Sequence, residues 1–198
     1  MLNKISNKLA THLAKNKIIQ CDEISLYVYG FELLISFLFS TLTIIVFGII
    51  FNFITETVVF LLVFILLRSY SGGYHALTYS FCTCVTLIVY ATTVLLSHCL
   101  TITREFFFVL IVAGIVILSI FAPVKNPNKE ISVKRTLEYK IISIIIFCIF
   151  SICGIVLFET QPIISNSIFY TLCADLLLIF PKNHKIHLER RARNDEYH

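Results

Sequence analysis

The chain has 198 residues, of which 58% are hydrophobic and only 14% charged, with a mean hydropathy of +0.88, far from the balance of a water-soluble domain. Its long apolar runs are apolar all round, without the polar stripe that a soluble helix turns to water, so they predict helices buried in lipid and an all-α integral membrane protein. The formal charge of +4 comes from short basic segments, and a basic tail this short does not predict nucleic-acid binding.

Residues 1–20 place Leu2, Ile5, Leu9 and Leu13 on one helical face, with Lys4, Lys8 and Lys15 elsewhere. That pattern predicts an amphipathic helix in the membrane interface, with a solvated helical cap as the alternative. The same residues are too polar to supply a signal-peptide core. The first apolar run is longer than such a core requires and lacks a small-residue cleavage pattern after it, so it is expected to be retained.

Apolar runs follow at 31–54, 56–67, 77–99, 106–122, 140–158 and 163–180, which predicts about six transmembrane segments. The second is short and bounded by Glu56 and Arg68. Either it borrows residues from 51–54 to reach spanning length, or it forms a re-entrant pair with 77–99. Pro123, Pro127 and Asn128 punctuate the loop after the fourth run, and Pro181 ends the last. No internal repeat is evident. The expected organisation is one domain over 1–198, with an amphipathic segment at 1–23, a transmembrane bundle at 24–181 and a basic tail at 182–198.

All basic residues except Arg68 and Arg104 fall in the N-terminal segment, the 123–140 connection or the tail. The positive-inside rule makes those three segments cytoplasmic, and six spans satisfy the assignment. The 68–76 connection then also falls on the cytoplasmic side.

That connection reads Arg68-Ser-Tyr-Ser-Gly-Gly-Tyr-His75 and is followed by Cys82. An apolar protein has little packing reason to place a cation, paired glycines, an imidazole and a thiol together, so the segment is the candidate site. On one straight helix His75 and Cys82 would lie about 10 Å apart along the axis, too far for a hydrogen bond. Chemistry between them requires His75 to fold back over the helix start, and Gly72 and Gly73 supply the backbone freedom for that reversal. Cys84 points about 200° away from Cys82 on a helix and reads as packing. The seven cysteines are single and mostly in apolar sequence, with no zinc-type spacing, so neither a metal nor a disulfide framework is expected.

The stretch Arg68–Ala76, with Cys82 behind it, resembles the accessory gene regulator B (AgrB) family of membrane peptidases. Ala122-Pro-Val-Lys-Asn-Pro-Asn-Lys129 resembles that family's Pro-rich connection, and the layout of runs is similar over nearly the whole chain. The resemblance implies a cysteine endopeptidase of the bacterial cell membrane that needs no cofactor. Its substrate would be a short AgrD-like precursor peptide, processed into a quorum-sensing signal. Cys82 would be the nucleophile and His75 its general base, with Arg68 and Gly73 on supporting motif positions and a homodimer as the family's assembly. Cleavage would leave a thioester on Cys82, which a Cys or Ser within the peptide then displaces to close a thiolactone or lactone.

Other candidates carry paired readings. Arg68 reads as a binder of an acidic precursor tail or as a snorkelling anchor. Asn126 and Asn128 read as third members of the catalytic set or as turn residues. Asp175, inside the last run, reads as a hydrogen-bonding group within the bundle or as a substrate contact. Glu32 reads as an interface residue. Motifs of P-loop NTPases, zincins and GxSxG hydrolases are absent. The competing class is a non-enzymatic transporter or helper subunit, which leaves the Arg-Gly-Gly-His-Cys cluster without a purpose.

Overall fold

The computed structural model describes residues 2–16, 18–72, 79–123 and 133–179. These form seven α-helices and a short 3-10 turn, with no strand among the described residues. In chain order the helices are α1 (Leu2–Lys15), α2 (Ile24–Ile50), α3 (Ile54–Ser71), α4 (Tyr79–Cys99), α5 (Arg104–Phe121), α6 (Val133–Leu157) and α7 (Pro162–Ile179), with the turn at Cys21–Glu23. Helices α2 to α7 are long and apolar enough to cross a membrane. The short second run therefore reaches spanning length. It gains Ile54 and Thr55 at one end and Arg68–Ser71 at the other, reaching 18 residues and about 27 Å.

Helix boundaries follow local chemistry. The first apolar run continues beyond residue 50, yet α2 stops there because Asn52 adopts φ 60°. Phe53 N donates to Gly48 O (2.8 Å) and Asn52 N to Ile49 O (3.2 Å), the two bonds of a Schellman cap. At the start of α6 the opposite occurs. Lys134, Arg135, Glu138 and Lys140 precede the apolar run, yet they are helical, and Lys140 Nζ donates to Ser119 O near the C-terminus of α5 (2.7 Å). A cation there satisfies a late carbonyl and complements the helix dipole.

The chain divides into two compact units. The first contains α1, α2, α3 through Thr57 and α4 through Thr92. In it, α1 packs on α2 through a face of small residues, with Ser6 and Ala10 fully buried. Asn3 Nδ2 donates to Glu32 Oε1 (2.9 Å), so Glu32 is buried against α1. The apolar residues Ile5 and Leu9 remain exposed, as an interfacial helix requires. Ser40 Oγ donates to Thr83 Oγ1 (3.0 Å), and the hydroxyls of Thr57 and Tyr90 lie 2.6 Å apart, so polar groups inside the spans are paired across helices.

The second unit contains the rest of α3 and α4 with α5, α6 and α7. Its core joins Val63 and Leu67 of α3, Phe107, Leu110 and Leu118 of α5, Phe147 of α6, and Ile168, Leu172 and Leu176 of α7. Phe107 meets Phe169 edge-to-face at 5.2 Å. Gly114 and Gly154 admit the rings of Phe147 and Phe107, which a Cβ at either position would overlap. Helix α7 is unusual in burying Ser165, Asn166, Ser167, Thr171 and Asp175. Asn166 Nδ2 lies 3.2 Å from both Ser97 O and Leu100 O, carbonyls at the C-terminal end of α4 that lack partners within that helix.

Candidate functional site

Cys82 is the fourth residue of α4, so its side chain belongs to the first turn of that helix. The thiol is free and half-buried, whereas Cys84 is exposed. The two side chains thus occupy different surroundings, as the rotation of about 200° between them demands. Thr83 between them is buried and accepts the hydrogen bond from Ser40. One turn on, Thr86 Oγ1 donates to Cys82 O (3.0 Å). These partners tie the first turn of α4 in place around the thiol. Cys82, Cys84, Cys99, Cys148, Cys153 and Cys173 are all free, and among the described residues no group of three His, Cys, Asp or Glu is placed to hold a metal ion.

Arg68 lies in the last turn of α3, and Gly72 follows that helix with φ 70°. Gly72 N donates to Arg68 O (3.2 Å), the single bond of an αL cap, and Ser71 Oγ donates to Gly72 O (3.1 Å). A side chain at Gly72 would be strained in this conformation. The Gly-Gly pair read from the sequence therefore contributes its first member as the helix terminator. Gly73, His75, Asn126 and Asn128 lie outside the described residues.

The guanidinium of Arg68 sits over the ring of Phe64, 5.6 Å from its centroid, and its Nη1 is buried. Asp175 is 2% exposed, and its Oδ2 has no hydrogen-bond partner among the described residues. Leu67 beside Arg68 and Leu176 beside Asp175 belong to one buried cluster. Two neighbours went unread. Phe64 stands four residues before Arg68, a helical spacing that could have exposed it. Tyr139 of α6 meets Tyr70 edge-to-face at 5.9 Å, a long-range contact with no sequence signal.

Comparison with known proteins adds a frame for these positions. The family model described as Accessory gene regulator B matches residues 6–180. An AgrB-like protein of Clostridium perfringens (strain SM101 / Type A) is 30% identical over 139 residues, 67% of this chain and 61% of that protein. A second, from Clostridium perfringens (strain 13 / Type A), is 28% identical over 142 residues, 68% of this chain and 66% of its own length. An AgrB-like protein of Lactiplantibacillus plantarum (strain ATCC BAA-793 / NCIMB 8826 / WCFS1) is 26% identical over 184 residues, 91% of this chain and 88% of the relative. The chain thus spans somewhat under two thirds of the two clostridial proteins. No solved structure gives a significant match.

Proposed function

Because the chain belongs to the accessory gene regulator B family, we propose that it is a membrane cysteine endopeptidase acting on a short precursor peptide and closing the product into a ring. The observation that carries this reading is the family match over 6–180, which takes in Arg68, His75 and Cys82 in one stretch. The position of Cys82 in the first turn of α4 supports it, since it puts the thiol at the end of that helix which follows the Gly-Gly-Tyr-His stretch in sequence.

His75 takes the proton of the Cys82 thiol, and the thiolate attacks the carbonyl at the C-terminal boundary of the future signal. Collapse of the tetrahedral adduct expels the tail as an amine, which receives the proton from His75. The signal portion stays on Cys82 as a thioester. A Cys or Ser inside the peptide then attacks that carbonyl, closes the thiolactone or lactone and returns the thiol of Cys82. A thioester suits the exchange because its acyl group stays activated until the internal nucleophile arrives, provided that water is kept away. By the distribution of Lys and Arg, this chemistry takes place on the cytoplasmic side, where a precursor not yet exported would meet it.

Co-expression with a candidate precursor and measurement of tail release tests the proposal. Cys82→Ala and His75→Ala each abolish release, while Cys84→Ala largely preserves it. Processing by Cys82→Ala at the unsubstituted rate refutes the mechanism.

A further inference from the structure

Distinct faces of α1 follow one another around its axis, at about 100° per residue. Ser6 and Ala10 are buried where α1 packs on α2, and Asn3 Nδ2 donates to Glu32 Oε1 (2.9 Å), so protein contacts fix the rotation of the helix. On one flank of that docked face stand Ile5 and Leu9, 45% and 42% exposed. On the other flank stand the polar residues Asn7 and Thr11. Between the flanks, on the side away from α2, Lys4, Lys8, His12 and Lys15 form an exposed strip about 80° wide. A helix surrounded by water has no reason to keep one flank apolar and the other polar, whereas a helix lying at a lipid boundary requires it.

The length of α2 points to the same depth. Over residues 33–50 that helix is uncharged for about 27 Å, close to the hydrocarbon core of about 30 Å. Residues 24–32 are then left at headgroup level, where Tyr27 is 39% exposed, a residue type that collects at the interface. Helix α1 is tied along this part of α2: the turn at Cys21–Glu23 joins one end to it, and the bond to Glu32 holds the other. Its basic strip thus stands at the level of lipid phosphates, with its apolar flank beside the acyl chains. We propose that α1 is a binding site for anionic phospholipid: Lys4, Lys8 and Lys15 hold headgroup phosphates while Ile5 and Leu9 lie against the upper parts of the chains. The occupant is a lipid and not a free anion, because the lysines share the helix with an exposed apolar flank that a free anion leaves in water. A leaflet rich in anionic headgroups complements the charge of the strip.

In the test, the full-length protein in a cysteine-free background carries one fluorophore, at Leu9→Cys or at Asn7→Cys. It is placed in nanodiscs of phosphatidylcholine with a minor share of phosphatidylglycerol, and nitroxide-chain versions of either lipid serve as quenchers. The label at residue 9 should be quenched and that at residue 7 largely spared. Nitroxide-chain phosphatidylglycerol should quench residue 9 as though enriched roughly fivefold over its bulk share, the effect of a single lysine near an anionic surface. Lys4→Gln, Lys8→Gln and Lys15→Gln together should abolish that preference while leaving quenching by phosphatidylcholine in place, and high salt should weaken it. Millimolar inorganic phosphate at constant ionic strength should not compete. A label at residue 9 that escapes quenching, or labels at residues 7 and 9 quenched alike, overturns the proposal. Equal quenching by the two lipids, a preference untouched by the three substitutions, or its loss to inorganic phosphate overturns it as well.

Discussion

Replacing Asn166 by alanine removes both hydrogen bonds that its amide makes to the end of α4, and the loss is unequal at the two carbonyls. Leu100 O also receives Tyr170 Oη at 3.3 Å and keeps that partner, whereas Ser97 O loses its side-chain donor from α7. Interhelical hydrogen bonds within membranes average about 0.6 kcal/mol, and an orphaned buried acceptor costs about 1–3 kcal/mol. Asn166→Ala is therefore expected to destabilise the protein by about 1.5–2 kcal/mol. Tyr170→Phe leaves Leu100 O bonded to Asn166 and should cost less, about 0.5 kcal/mol. In the double variant Leu100 O loses both partners, so the combined cost should exceed the sum of the single ones. Reversible unfolding in mixed detergent micelles, read by circular dichroism, measures all three. Strict additivity, or a Tyr170→Phe cost equal to that of Asn166→Ala, refutes this account of how α7 closes the end of α4.

Enlarging Gly114 to leucine drives a side chain into the Phe147 ring, and an unfolding cost of about 1–3 kcal/mol or more is expected in the same assay. Asn52→Val forces a β-branched residue to φ 60° and should cost about 1–2 kcal/mol, whereas Asn52→Gly should be neutral or mildly stabilising. The Arg104–Glu159 pair is exposed on both sides, so Arg104→Met should change stability by less than about 1 kcal/mol, with the difference shrinking in high salt. In a cysteine-free background, Thr160→Cys should react with an impermeant maleimide added outside intact cells, and Lys15→Cys should react only after permeabilisation. The reverse pattern overturns the assigned sidedness.

The six spans were legible because lipid-facing helices must be apolar along their length, and no tertiary information is needed to see that. Their ends were less so. Residues 51–54 are nearly as apolar as α2 itself, and only the left-handed conformation of Asn52 interrupts the helix. Conversely, Lys134 to Lys140 looked like loop because charge and helix termination often coincide, yet Lys140 finds a carbonyl on α5. In α1 the leucine periodicity marked the face left uncovered by protein. The docking face is the inconspicuous one with Ser6 and Ala10, whose small side chains carry little hydropathy signal. Cys82 could be separated from Cys84 by helical rotation alone. The contact of Tyr70 with Tyr139 could not be foreseen, since nothing in either local sequence names a partner so distant along the chain.

The polar interior of α7 implies an uneven tolerance to change along the molecule. Half of the spanning window of α7 is buried, against 11% for α2. Lipid asks of a side chain only that it be apolar, so α2 should accept exchanges among Leu, Ile, Val and Phe at most of its positions. In α7, Ser165 and Thr171 each donate to a particular carbonyl and Asn166 donates to two, and a substitute must match shape, donor and direction together. Among diverging descendants of this chain, the first spanning helix is free to drift in its spelling while the last is held nearly letter by letter.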